Sequence, residues 1–200
     1  MSGPRIGIVD AGAANYASIA AALARAGAES VFVRAPHEIE RLDALVLPGV
    51  ANLGYILDAL DARALRVPLE RWIAADLPLL GICAGFQALF EGSDEAGERR
   101  GFGIFAGRVR GIAGPKRQHI GWSRVQSEDG AMLGWAYFAH GYAAPESADA
   151  WGYTVYGERF VSTAQRGRVM GVQFHPERSA SYGRDVLDAF VREAGVSYAR

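Results

Sequence analysis

The stretch LLGICAGFQALFE, Leu79–Glu91, holds the only cysteine in the chain, Cys83, with Gly81 and Gly85 two positions to either side of it. PLLGI has the continuous apolar character of a buried strand, and AGFQALFE has helical spacing, so Cys83 stands at the apex of a strand-to-helix turn. The pattern G-x-C-x-G is the thiol counterpart of the nucleophile elbow G-x-S-x-G. A nucleophile in so sharp a turn needs small neighbours, because the incoming strand and outgoing helix pass close together. At a helix N-terminus the sulfur feels the partial positive charge of unpaired N–H groups, which favours the thiolate. The same groups, the Ala84 N–H first among them, are positioned to stabilise an oxyanion. The ordinary alternative is a small apolar residue closing a buried strand, the commoner fate of a lone cysteine. A reactive partner elsewhere in the chain has to decide between them.

Upstream of the turn, short apolar runs alternate with helical ones, the order of a parallel sheet with helices packed on it. RIGIVD reads as the first strand, and NYASIAAALARAGA as a helix with Gly27 placed for a left-handed cap. VFVR, a turn-like APHE, and ALVLP follow; the last reads as a strand buried on both faces and stops at Pro48-Gly49. Helical patterning returns over Tyr55 to Leu60 and Pro68 to Ala75. Past Gly92 the texture changes to short alternating strands with many glycines, read as added, mostly antiparallel sheet, before a last helix over about Ser181 to Ala194. No linker or repeat divides the chain, so residues 1–200 are expected to form a single domain.

The 200 residues are half hydrophobic, enough for a large core without staples. Lys plus Arg number 21 against 22 Asp plus Glu, with no long charge run, which argues against a nucleic-acid groove or a polybasic membrane patch. Nowhere do about 18 apolar residues run uninterrupted, and the N-terminus lacks a cleavage signature, so a soluble cytoplasmic protein is expected. One cysteine makes neither an internal disulfide nor a multi-thiolate zinc site, and no His/Cys/Asp cluster has ligand spacing, so neither metal nor organic cofactor is expected.

A cysteine hydrolase needs an imidazole to take the proton and a third group to orient the ring. His175 ends the strand-like VMGVQF and is followed by Pro176 and Glu177. Proline holds the preceding residue extended, and in an extended chain residues two apart project to one side, so Glu177 is expected to reach the His175 ring. His37 lies in a polar turn and reads as solvated; His119 and His140 read as hydrogen-bonded structural histidines.

GICAGFQ together with GVQFHPE resembles the class I, triad-type glutamine amidotransferases, which take ammonia from glutamine through a cysteine thioester. VLPGVANLG resembles their oxyanion loop. HIGW and YFAHGYAAP, with VQFHPERS, resemble the branch that serves imidazole glycerol phosphate synthase, and the similarity spans nearly the whole chain. The resemblance implies a flavodoxin-like α/β fold, a mostly parallel central sheet flanked by helices, with antiparallel strands added in the C-terminal half. It implies Cys83 as nucleophile, His175 as acid and base, and Glu177 as orienter. Gly49 and Val50 would lie against the bound glutamine and shape the oxyanion site with Ala84. Gln87 would hold the glutamine head group, with His140, Gly141 and Tyr142 contributing. Asn15, Trp122 and Arg178 would face a (β/α)8 cyclase subunit in a heterodimer. The chain departs from the family's usual pattern in reading PGVA for PGVG at the oxyanion loop, DAGAAN for a DYGxGN-like first loop, Ser123 for Asn after HIGW, and Gly141 for a hydroxyl residue. Free ammonia is protonated in neutral water, so its direct transfer to a partner is the physical reason to expect one. The alternatives are a synthase of the purine or pyridoxal phosphate pathway as partner, a stand-alone cysteine hydrolase, and a binding module that keeps only the fold.

Overall fold

The computed structural model describes residues 3–196. In chain order the elements are β1 (Arg5–Val9), α1 (Tyr16–Arg25), β2 (Glu29–Val33), β3 (Ala44–Gly49), α2 (Leu53–Ala62), α3 (Arg66–Ala74), β4 (Leu79–Cys83) and α4 (Ala84–Gln87). They continue with β5 (Phe90–Ser93), β6 (Phe105–Gly111), β7 (His119–Gln126), β8 (Met132–His140), β9 (Tyr142–Ala143), β10 (Ala150–Tyr156), β11 (Glu158–Arg166), β12 (Val169–Val172) and α5 (Ala180–Ala194). Among these residues no helix is long and apolar enough to cross a membrane.

A nine-stranded sheet runs in the order β2-β1-β3-β4-β12-β11-β10-β7-β8, beside a small sheet β5-β6-β9. From β2 to β12 the pairs are parallel, and from β12 to β8 antiparallel, so an α/β sheet carries an antiparallel extension from the C-terminal half. Period-two alternation sorts the apolar residues of the central strands onto two faces. Leu45 and Leu47 of β3 join Leu79 in one core with Leu57, Leu60 and Trp72 from α2 and α3. Ala44 and Val46 join Leu80 and Ile82 in the other, with Ile19 and Leu23 from α1 and Leu187 and Phe190 from α5. Both faces of the sheet are therefore covered, as continuous apolar strands require.

One local reading is refined and one is corrected. APHE is a turn of 3-10 helix over Pro36–Ile39, in which the Glu38 carboxylate accepts from the Arg34 and Ala35 N–H groups. The helix after Cys83 is one turn, and Phe90–Ser93 leaves as β5 to pair in parallel with β6. The apolar run ALF that looked like helix continues into a buried aromatic cluster, where Phe86, Phe90 and Phe105 pack with ring centroids 5.1 to 5.9 Å apart. Tertiary packing thus overrides helical spacing there.

Candidate active site

Three neighbouring parallel strands bring the site together at their carboxyl ends. Gly49 of β3 lies in register with Cys83 of β4, and Val172 of β12 with Ile82, so the residues just past β12 flank the thiol from the other side. This is the edge where ligands bind in open α/β sheets.

Cys83 adopts φ 54°, ψ −111°, a left-handed conformation that costs a non-glycine residue about 1–3 kcal/mol. The surrounding glycines make it possible. A Cβ on Gly85 would stand 1.8 Å from the Leu47 carbonyl oxygen, and one on Gly81 would stand 2.8 Å from the Phe86 Cα. With only four residues, α4 has little macrodipole to offer the sulfur, so the electrostatic help from this side comes from the unpaired N–H groups of its first turn, beginning with Ala84.

His175 is 6% exposed and Cys83 4%, while Val50 on the neighbouring loop is 56% exposed, which marks the side on which solvent approaches. The His175 Nδ1 lies 3.0 Å from the Glu177 Oε1, and Cys83 lies near enough to the ring to act on its protonation; the thiol itself lies 3.9 Å from the Ala139 carbonyl oxygen. Burial acts to lower the His175 pKa, but the Cys83 and Glu177 partners outweigh it and raise it to about 10. The reach of Glu177 is made differently from the extended-chain expectation. His175 itself is extended (φ −96°, ψ 98°), but Pro176–Arg178 forms a turn of 3-10 helix, and this curl swings the carboxylate back to the ring.

Gln87, also buried, donates from Nε2 to the Tyr142 carbonyl (2.7 Å) and to the Gln173 Oε1 (3.1 Å). Gln173 in turn donates to the Cys83 Sγ at 3.9 Å, so two amide side chains form a relay from the 142 strand end to the thiol. Sequence reasoning passed over Gln173, although its place two residues before His175 was the available signal. The His140 Nδ1–H donates to the same Tyr142 carbonyl (2.9 Å), leaving its buried Nε2 without a partner among the described residues. The carbonyl of Gly141 accepts from the Ile112 N–H.

The Val50 N–H donates to the Ala13 carbonyl (3.0 Å), so in this conformation that amide is engaged with the first loop instead of facing the thiol. The loop is braced by Asp10, which accepts from the Gly12 N–H and the Tyr16 hydroxyl and pairs with Arg63 and Arg34.

Of the residues implied to face a partner, Trp122 is half exposed and meets the Tyr137 ring edge-on at 6.1 Å, while the Arg178 guanidinium lies 4.0 Å above that ring. Asn15 is exposed and caps α1, accepting from the Ser18 N–H, and α1 packs beside the 176–178 turn. Tyr137, at the centre of this cluster, was not singled out from sequence.

A family model described as "Glutamine amidotransferase class-I" matches residues 7–194. The chain is 33% identical over 201 residues to the imidazole glycerol phosphate synthase subunit HisH of Sulfurimonas denitrificans, covering 94% of this chain and 97% of that protein. It is 36% identical over 203 residues to the imidazole glycerol phosphate synthase hisHF of Schizosaccharomyces pombe, covering 93% of this chain but only 38% of that protein. A solved structure described as a glutamine amidotransferase superposes with a TM-score of 0.77 at 20% identity, over 96% of this chain and 99% of that one, a likeness of fold. A thiol elbow, a distant imidazole and a full-length match at this identity converge on one conclusion: the chain belongs to the class-I glutamine amidotransferases and, within them, to the HisH subunits of imidazole glycerol phosphate synthase.

Proposed function

We propose that the chain is a cytoplasmic glutaminase that hydrolyses glutamine on Cys83 and hands the ammonia to a (β/α)8 cyclase subunit, which uses it to form imidazole glycerol phosphate in histidine biosynthesis. The observation that carries this reading is that adjacent parallel strands bring Cys83 and the His175–Glu177 pair, its Nδ1 and Oε1 3.0 Å apart, to the same carboxyl edge of the sheet. The Cys83 thiolate attacks the side-chain carbonyl carbon of glutamine, giving a tetrahedral oxyanion beside the Ala84 N–H. With its raised pKa, His175 carries a proton at neutral pH, and it gives that proton to the departing amine as the C–N bond breaks. The neutral ring then takes a proton from water, whose oxygen attacks the γ-glutamyl thioester. Collapse of the second oxyanion breaks the C–S bond, frees glutamate and returns the pair to its starting state. Glu177 keeps Nδ1 protonated throughout, so Nε2 is the nitrogen that exchanges protons with sulfur, amine and water.

The similarity to a hisHF protein, of which this chain covers 38%, is consistent with a partner function supplied there by the same polypeptide. The cluster of exposed Trp122 and Arg178 around the partly buried Tyr137 is the surface suited to dock that partner, since aromatic and arginine side chains are enriched at protein interfaces and their hot spots. The test is glutaminase activity with and without the cyclase and its nucleotide ligand. A large rise on adding both is expected; glutamine-dependent ammonia release that survives Cys83→Ala would refute the assignment.

A further inference from the structure

The turn that carries His175 and Glu177 is tied to the sheet at one place. β8 is the outermost strand of the large sheet, and at Tyr137 its free edge meets this turn. The His175 N–H donates to the Tyr137 carbonyl (2.9 Å), and the Tyr137 N–H donates to the Ser179 Oγ (2.9 Å). The Ser179 hydroxyl donates its own proton to the His175 carbonyl (2.6 Å). One hydroxyl therefore closes a ring of three hydrogen bonds that fixes the His175 main chain on both its N–H and its carbonyl. Ser179 is fully buried, so water does not compete for these bonds. Its own main chain is held too: the Ser179 N–H donates to the Pro176 carbonyl, and the Ser179 carbonyl accepts from the Gly183 N–H at the start of α5. Helix and turn pack so closely that a Cβ on Gly183 would stand 2.1 Å from the Pro176 oxygen.

We propose that Ser179 is a positioning residue for the glutaminase reaction, its hydroxyl locking the His175 main chain to Tyr137 so that the imidazole is held against Cys83. The inference rests on the catalytic reading given above. Two alternatives are open to a buried serine before a helix, capping of α5 and plain packing. Capping is excluded by geometry, because the Ser179 side chain accepts from Tyr137 across the chain and makes no hydrogen bond to the first turn of α5. Packing alone would affect stability without touching the chemistry at the ring. A positioning role predicts a change at the ring itself, since a displacement of about 1 Å at a reacting group costs roughly a hundredfold in rate. Tyr137 also carries the ring between Trp122 and Arg178, so the same lock makes the imidazole move together with the exposed aromatic cluster.

Cys83 is the only cysteine in the chain, so alkylation by iodoacetamide reads this one thiol in the isolated chain without a partner. In the wild type the rate profile against pH is expected to carry the titration of His175. Ser179→Ala, checked for folding by circular dichroism, is expected to slow alkylation at pH 7 by about tenfold or more and to displace that titration. Ser179→Thr, which restores a hydroxyl, is expected to recover the profile at least in part. Gly183→Ala, which keeps the hydroxyl but presses on the Pro176 carbonyl, is expected to disturb the profile in the same direction and gives a second route if the alanine variant does not fold. A folded Ser179→Ala or Gly183→Ala protein with a lowered melting temperature and an unchanged alkylation profile overturns the proposal. Failure of the underlying reading looks different: the wild-type profile would then be that of an isolated thiol and would not respond to His175→Ala.

Discussion

Replacing Glu177 with glutamine removes one charge from the site and little else. The carboxylate is almost fully buried, with its Oε1 on the His175 Nδ1 and its Oε2 without a partner among the described residues. An amide of the same shape can still accept from Nδ1–H, so geometry is kept while the electrostatic support for the imidazolium is lost. In the wild type the His175 pKa rises from 6.5 to about 10 although burial opposes the rise, because the hydrogen bonds and charges of Cys83 and Glu177 outweigh it. A rise of that size corresponds to a net preference for the imidazolium on the order of 5 kcal/mol in the folded state, after the cost of burial. Loss of one of the two partners is expected to lower the His175 pKa by roughly one to two units, a weakening of about 2 kcal/mol. The sign follows from linkage. A pKa raised by folding contributes stability that is complete below the unfolded value near 6.5 and disappears as pH climbs to the folded value near 10. Wild-type stability against urea should therefore decline from pH 6.5 toward 10 through this group, and Glu177→Gln should begin lower at neutral pH and level off sooner. The assay is a paired one: the His175 Cε1 proton shift followed by NMR titration in both proteins, and urea midpoints across the same range. If the wild-type ring titrates near or below 6.5, or the two proteins titrate alike, the assignment of Glu177 as the group that steadies the imidazolium is wrong.

Gly85→Ala is expected to destabilise the fold by about 3 kcal/mol or more, measured by chemical denaturation, because its Cβ would collide with the Leu47 carbonyl and the clash is with backbone that has no rotamer to yield. On the acid side the sign reverses. Burial first of all lowers His119 to about 4 and His140 to about 3, so their contribution is complete above pH 6.5 and is lost as pH falls toward those values; at pH 5 each costs about 2 kcal/mol. His119→Phe, which keeps a ring between Phe138 and Tyr156, should flatten that acid limb in urea melts followed from pH 7 to 4.5. Ala51→Gly should cost about 0.5–1 kcal/mol of stability while raising glutamine turnover, since it loosens the loop whose Val50 N–H is now held by Ala13; turnover at or below the wild-type value would count against an oxyanion role for that loop.

Much of this protein is written locally. Continuous apolar strands separated by helical runs specify a parallel sheet covered on both faces, and glycines two positions either side of a lone cysteine specify a turn tight enough to strain it, because both signals come from sterics within a few residues. His-Pro-Glu marks its own unit in the same way, although the contact is made by a 3-10 curl and not by the extended chain that proline suggested. The one-turn length of α4 was hidden, since helical spacing over AGFQALFE is equally satisfied by an aromatic core that only β6 completes. What the tertiary structure alone decided is the company these residues keep. That β12 lies beside β4 and delivers His175 to Cys83 follows from strand order, that Gln173 reaches the sulfur and Gln87 holds Gln173 follows from burial, and that Ser179 and Tyr137 lock the base depends on a free strand edge meeting a turn some forty residues away. Such contacts are fixed by the packing of elements far apart in the chain, and a linear pattern carries no record of which distant backbone group a buried hydroxyl or amide will meet.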